Sequence, residues 1–377
     1  MKKRYLPLAF MISTALVACG TNDGTSVDTS SVKESIDYGT PSLSNENYVH
    51  IFGRHEFKSN GDLYMSFTGC GIEFKVDVKE ETNSISISLS NALNGYDEQF
   101  LDVIIDGELV ERSRLVSSTT NVEVASDLSI GVHLIRVIKA NEVNSTTVTL
   151  KDLTLVGCDY TLLEKEYEKR VEFYGDSITC GYGVLGTTAE GFKTSTEDAY
   201  YGYPYMTADQ LGYDYSVVSR SGISLAMNAF NSEYYFRHLY PTVDGINEFG
   251  VEGYKVDVAV INLGTNDNTK FNTFDSNTQL TKVEEFYNQY KDLAQNIKDA
   301  NPDCKFVLCY NMMTNFNAYL VTALEGVCNY LNAEYDECAY MQEFTIDYGG
   351  SDGHPGKTAH ERNANILSEF IEGIMEE

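Results

Sequence analysis

Residues 256–267 read VDVAVINLGTND. A nearly unbroken run of Val, Ile, Leu and Ala over Val256–Leu263 is the pattern of a strand buried on both faces. What surrounds it has a longer period. Thr281–Ala300 places Val283, Phe286, Tyr287, Tyr290, Leu293 and Ile297 at three- and four-residue spacing, which predicts a helix, and Asn301-Pro302 ends it. Lys305–Tyr310 then reads as a strand, Ala318–Leu331 as a helix, Ala339–Phe344 as a strand and Thr358–Met375 as a last helix. Upstream, Val171–Tyr174 is a short apolar strand, Ala199–Leu211 looks helical and Tyr213–Val218 extended. Strand–helix alternation predicts a parallel, doubly wound sheet, whose reactive loops lie at the carboxyl ends of the strands.

Ahead of this region the period is two. Ile72, Phe74, Val76 and Val78 alternate with Glu73, Lys75 and Asp77, and Ser84–Leu89 alternates without a break. Asp106-Gly107 between two apolar stretches is a hairpin signal. Val132–Ile138 and Thr146–Val156 add further strands, with no helix between. An antiparallel β-sandwich over residues 48–160 is expected, then the α/β domain over 168–377.

The chain opens MKKRYLPLAFMISTALVACG. Lys2, Lys3 and Arg4 precede an apolar run from Leu6 to Ala18 that is too short to span a bilayer and fits a secretory leader over residues 1–18. Leu16-Val17-Ala18-Cys19 resembles a bacterial lipobox, with Cys19 as the lipidated residue; an ordinary signal peptide is the alternative. Residues 19–47 are rich in Ser, Thr, Asn, Asp and Gly and read as a tether. The expected location is the outside of a bacterial cell, anchored to the membrane.

Lys and Arg number 27 against 56 Asp and Glu, a net charge of −29, which excludes nucleic acid and polybasic membrane docking. An apolar content of 42% excludes a disordered chain. Seven cysteines remain beside Cys19, without a zinc-type spacing; buried free thiols are the favoured reading, with a Cys70–Cys158 bridge left open.

The first α/β strand runs into Gly175-Asp176-Ser177-Ile178-Thr179-Cys180-Gly181-Tyr182-Gly183. A serine just past a strand end is presented with its hydroxyl exposed, but it needs a base to act as a nucleophile. Of the six histidines, His354 lies in a Gly-rich loop, Asp352-Gly353-His354-Pro355, where Asp352 is close enough to orient the imidazole. His360 reads as a solvated or packed residue, and His238 could line a groove. Acyl transfer also needs donors for an oxyanion. Asn266 follows one strand end directly and Gly222 another, each with a bland reading as a turn residue. Three strand ends carrying complementary parts weigh against the bland readings.

The order Gly-Asp-Ser, Gly, Gly-x-Asn-Asp, Asp-x-His-Pro resembles the SGNH (GDSL-type) hydrolase superfamily over residues 168–377. The resemblance implies Ser177 as nucleophile and first oxyanion donor, Gly222 and Asn266 as the second and third donors, and His354 as base. It also implies a flavodoxin-like α/β fold. GDSITCGYG, INLGTNDN and DGHP behind an N-terminal β-sandwich are similar to carbohydrate esterase family 2, which implies a jelly-roll domain joined to the SGNH domain. That family implies removal of O-acetyl groups from plant-wall polysaccharides such as xylan and glucomannan, with no metal or cofactor. This chain departs from the superfamily in placing its acid two residues before the histidine, with Ser351 at three. It also has no Trp. Sugar faces stack on aromatic rings; Tyr182 is the candidate here, whereas the clusters Tyr200–Tyr205 and Tyr234–Tyr240 are mostly expected to pack. The partner is then an acetylated polysaccharide, with the protein as a monomer. The alternatives are a peptidoglycan or other envelope-glycan esterase, a lipase or thioesterase, and a glycan-binding surface lipoprotein without activity.

Overall fold

The computed structural model describes residues 42–164, 167–230, 233–250 and 254–376; the leader and Cys19 lie outside them. The period-two stretches form strands β1 (Val49–Phe52), β2 (His55–Phe57), β3 (Leu63–Met65), β4 (Gly71–Val78), β5 (Ser84–Ala92), β6 (Gln99–Ile105), β7 (Glu108–Leu115), β8 (Asn121–Ser126), β9 (Gly131–Lys139), β10 (Thr147–Val156) and β11 (Cys158–Thr161). In β5 the alternation becomes geometry: Ile85, Ile87 and Leu89 are buried, and the intervening serines are partly exposed. One sheet runs β1-β4-β9-β6-β7, with β11 also on β4, and the other runs β2-β3-β10-β5-β8. Asp106-Gly107 makes the β6–β7 turn, both residues with positive φ (53° and 92°), as a two-residue hairpin requires.

The second half supplies β12 (Arg170–Gly175), α1 (Ser177–Cys180), α2 (Tyr203–Leu211), β13 (Asp214–Ser219), α3 (Phe236–Leu239), β14 (Val258–Asn262), α4 (Thr265–Phe271), α5 (Ser276–Ala300), β15 (Lys305–Asn311), α6 (Ala318–Tyr335), β16 (Ala339–Phe344) and α7 (Lys357–Glu376). The sheet is wholly parallel, in the order β13-β12-β14-β15-β16. It is buried on both faces. Val258 and Val260 pack toward α2 and α7, and Ala259 and Ile261 toward α5 and α6. Strand order reverses between β13 and β14 around β12, and that switch point is where such sheets open a crevice.

Two helices start away from their predicted positions. Tyr203 rather than Ala199 begins α2, because Pro204 suits a first helical turn while Gly202 closes a tight turn back onto Ala199. The start of α5 is Ser276, ahead of Thr281, because the Asp275 carboxylate accepts from the N–H groups of Asn277 (3.0 Å) and Thr278 (3.1 Å). All seven cysteines among the described residues are free, so no Cys70–Cys158 bridge forms. Cys70 instead donates to the Arg54 carbonyl at 3.4 Å.

One apolar cluster runs from the sandwich interior into the layer beneath α5 and α6, so the two halves share a core. Charged contacts set their register. Arg54, after β1, grips Glu172 of β12 with two hydrogen bonds (2.8 and 3.0 Å) and also donates to the carbonyls of Tyr240 and Thr242. Arg136 of β9 bonds Glu73 of β4 and reaches Tyr205 (2.9 Å) and Asp209 (3.0 Å) on α2. Arg112 of β7 lies 2.9 Å from Asp198 and donates to the carbonyls of Ser195 and Glu197.

Arg54 and Glu172 are both about 1% exposed, so removing one partner strands a charge in the interior. Arg54→Ala is expected to destabilise the protein by about 3–5 kcal/mol. Urea unfolding followed by tyrosine fluorescence and circular dichroism checks this, and both signals should move together because the core is shared.

Candidate active site

The turn that carries Ser177 is cut to a tight geometry. Gly175 ends β12, and a Cβ there would sit 1.9 Å from Thr179 Oγ1, so only glycine fits. Asp176 caps the short α1 by accepting from the Ile178 N–H at 3.1 Å. Ser177 begins α1 and is 8% exposed, and its Oγ lies 2.8 Å from His354 Nε2. Of the six histidines only His354 bonds Ser177. His360 is fully buried in α7 and accepts from the Tyr203 N–H at 3.0 Å, a packed residue. His238 accepts from the Tyr235 N–H beside its own short helix.

The other two strand ends meet this turn. Gly222 follows β13 with φ +76°, a left-handed conformation that other side chains resist. Among the described residues neither the Ser177 N–H nor the Gly222 N–H donates to a protein acceptor. Asn266, in α4 just past β14, directs its amide to the Ile223 carbonyl (2.8 Å) and lies 3.5 Å from Asp176. The ends of β12, β13 and β14 are thereby tied together around one point. These strand ends carry the Ser177 hydroxyl with His354 beside it, the N–H groups of Ser177 and Gly222, and the Asn266 amide, which is bonded to Ile223 and Asp176.

Asp267 has a part that the motif does not reveal. Its fully buried carboxylate accepts from the N–H groups of Leu225 (2.9 Å), Ala226 (2.8 Å) and Met227 (2.7 Å), pinning the loop that carries Gly222. Burial pushes its pKa up to about 6, against the pull of those three donors. Asp176 is raised further, to about 7, by burial opposed by the Ile178 N–H and Thr265.

Asp352 departs from its expected place. It has φ +53°, and its exposed carboxylate accepts from the Tyr182 hydroxyl (2.9 Å) and the Phe192 N–H (3.1 Å) instead of from His354. His354 Nδ1 is buried without a partner in hydrogen-bond geometry. Burial pushes the imidazole pKa down to about 4, opposed by the backbone of Ser351 and by the Asp352 charge. Tyr182 also differs from a sugar platform. It stacks on Phe192 (centroids 4.2 Å, 19°) and on His354 (4.2 Å, 35°), so both of its faces are occupied. Among the described residues, two rings left open near the site are Phe230, 65% exposed and in contact range of Gly222, and Tyr96 of the sandwich, 40% exposed and edge-on to Phe192. Neither had a sequence signal beyond being aromatic. Tyr203 and Tyr205 are buried, and Tyr240 packs over Arg54.

Behind the site, Glu142, Cys180 and Glu197 bring their ligand atoms within 4.8 Å of one another. Lys139 is buried beside them, where burial pushes its pKa down to about 8, opposed by the charges of Glu197 and Glu142.

Residues 173–362 match the model of the GDSL-like lipase/acylhydrolase family. The chain belongs to that family. Residues 51–160 match the carbohydrate esterase 2 N-terminal model. The chain is 27% identical over 355 residues to the cellulase/esterase CelE of Acetivibrio thermocellus, covering 90% of this chain but only 41% of that relative's length. It is 22% identical to an acetylxylan esterase / glucomannan deacetylase of Cellvibrio japonicus, over 87% of this chain and 89% of the relative. The family two carbohydrate esterase from Clostridium thermocellum, solved with cellohexaose, superposes with a TM-score of 0.78 at 25% identity, over 87% of this chain and 99% of that one. Both halves therefore follow the two-part arrangement of the family 2 carbohydrate esterases.

A histidine with a folded pKa of about 4 and an unfolded one near 6.5 favours the fold in its neutral form. Its share of stability is complete above pH 6.5 and is lost as pH falls toward 4. Ring-nitrogen NMR of labelled histidine should find His354 still neutral at pH 5.5. A midpoint at or above 6.5 would contradict the burial argument.

Proposed function

We propose that the protein is a serine esterase that removes O-acetyl groups from plant cell-wall polysaccharides, xylan and glucomannan, through an acetyl-Ser177 intermediate. The observation that carries this reading is the 2.8 Å contact between His354 Nε2 and Ser177 Oγ at the switch point of the sheet, with Gly222 and Asn266 on the adjoining strand ends. His354 takes the hydroxyl proton as Ser177 Oγ bonds to the acetyl carbonyl carbon. The negative charge on the carbonyl oxygen is met by the N–H groups of Ser177 and Gly222 and the amide of Asn266. The intermediate collapses, the sugar oxygen leaves with the proton from His354, and water then hydrolyses the acetyl ester by the same route in reverse.

The substrate class rests on the relatives named above and on the open rings Phe230 and Tyr96 beside the site. Tyr182 holds His354 in place rather than stacking a sugar. Asp352 acts on the histidine through Tyr182 and through its charge, not through a direct bond. The leader and Cys19 support export and a lipid anchor on the cell surface. A surface location also favours a second substrate, an O-acetylated glycan of the cell's own envelope.

Acetate release from acetylated glucomannan, xylan and peptidoglycan tests the assignment. Wild-type protein should release acetate from the plant polysaccharides, and Ser177→Ala should lose several orders of magnitude in rate. Release from peptidoglycan alone would move the substrate to the envelope, and undiminished activity in Ser177→Ala would end the serine mechanism. Asn266→Ala should lower kcat by about 10²–10³-fold with little change in KM, as expected for a donor used in the transition state.

A further inference from the structure

We propose that Glu142, a residue of the β-sandwich, is a positioning residue for the oxyanion donor Gly222. This rests on the esterase reading and extends it to the first domain.

The loop between β9 and β10 is Ala140–Thr146, and it reaches out of the sandwich into the floor of the site. Glu142 is 2% exposed, and its Oε2 accepts from the Ser221 N–H at 2.7 Å. On the other side of the same residue, Asn144 Nδ2 lies 3.5 Å from the Ser221 carbonyl oxygen. A trans peptide is planar, with its C=O and N–H pointing in opposite directions. The Ser221 carbonyl belongs to the peptide that carries the Gly222 N–H, so holding that oxygen aims the Gly222 N–H. Glu142 fixes the preceding peptide. Two successive peptide planes are thus set from the sandwich, and the φ of +76° at Gly222 is what lets the chain turn between them and the site.

Glu142 also lies against the nucleophile turn. Cys180 Sγ at the end of α1 is 3.7 Å from the same oxygen, and Thr68 of the sandwich donates to the Cys180 carbonyl at 3.2 Å. The loop that presents the carboxylate is itself held. Its Glu142 N–H (3.1 Å) and the Asn141 amide (3.2 Å) both donate to Glu197 Oε2, the Asn141 amide also donates to the Thr194 carbonyl (2.8 Å), and the Lys139 ammonium donates to the carbonyls of Asn141 and Glu142. Such a support belongs to positioning: 1 Å of drift in an oxyanion donor is enough to lose its contribution. What the Ser221 N–H requires is an acceptor at a fixed point, and a neutral amide oxygen supplies one as well as a carboxylate does.

The test compares Glu142→Ala, Glu142→Gln and Glu142→Asp with wild type, using 4-nitrophenyl acetate, and records kcat, KM and the thermal unfolding midpoint. Glu142→Ala should lower kcat by about 10- to 10²-fold at near-constant KM, less than outright loss of a donor. Glu142→Gln should recover most of that loss. Glu142→Asp, which keeps the charge but draws the acceptor back by one carbon, should behave like Ala. If Glu142→Ala does not fold, the Gln and Asp variants still decide the point. Overturning results are a folded Glu142→Ala with wild-type kcat, or Gln no better than Asp. A wild-type protein whose esterase activity is absent or independent of Ser177 would overturn the esterase reading itself, and this inference with it. Ser177-dependent turnover that ignores Glu142 would overturn the inference alone.

Discussion

A carboxylate on an inner strand of a parallel sheet is a costly feature, and Glu172 occupies such a place on β12, between β13 and β14. Burial pushes its pKa up, yet the Arg54 charge and hydrogen bonds prevail and hold it below the usual carboxylate range. Both partners are almost wholly buried, and Tyr174 and the carbonyls of Tyr240 and Thr242 complete the shell. An apolar pair could fill the same space at least as stably. What the ion pair adds is register: a two-pronged guanidinium meets a carboxylate in one orientation, so the sandwich can dock on the sheet in only one way. Arg136 and Arg112 repeat the device at two other points along the interface. Everything the first domain contributes to the site depends on that docking.

The site is therefore built from the sheet outward and from the sandwich inward. The switch point between β13, β12 and β14 brings Gly222, Ser177 and Asn266 to one crevice. The loops that leave those strands would be free to wander, and two buried acids restrain the one bearing Gly222. Asp267 holds its far side through three N–H groups, and Glu142 holds its near side through Ser221. Asp267 comes from α4, just past β14, and Glu142 from the sandwich. Both acids are raised in pKa by burial, so their use as hydrogen-bond acceptors matters more than their charge.

Much of this is local and readable. The apolar run Val256–Leu263 reports a strand buried on both faces because nothing polar could sit there, and Ser84–Leu89 reports a sheet with one wet face. Gly222 is legible as a glycine just past a strand end, where a bare backbone N–H can approach a substrate, and its φ of +76° is a finding of the structure. The unreadable parts are those where the partner is remote or the direction is conformational. Glu142 sits in Ala-Asn-Glu-Val-Asn-Ser-Thr, which has the composition of an ordinary polar turn, and nothing nearby in sequence indicates that its carboxylate is buried under another domain. Asp267 lies in plain view beside Asn266, but the three N–H groups it serves are on a different loop. Asp352 is two residues before His354 in sequence, yet its carboxylate, with φ +53° at that residue, bonds residues 182 and 192.

That last difference bears on how the imidazole is oriented. For His354 Nε2 to accept the Ser177 proton, the ring proton must sit on Nδ1, and an orienting carboxylate normally holds it there. Here Nδ1 faces the backbone of Ser351 and Asp352, and the carboxylate lies on the far side of Tyr182. Ring direction is secured by packing instead: Tyr182 lies against the imidazole face, is itself backed by Phe192, and is tied through its hydroxyl to Asp352. A stack restricts rotation about the ring plane but gives little stabilisation to a cation formed by proton transfer. The imidazolium must then draw on carbonyl dipoles and on the more distant Asp352 charge, which do not offset the burial that pushes its pKa down to about 4. The arrangement suits a base that must be neutral over a wide pH range more than one that must be strong. A sugar alkoxide is a poor leaving group, and a weakly basic imidazole is, once protonated, the stronger acid to protonate it as it departs.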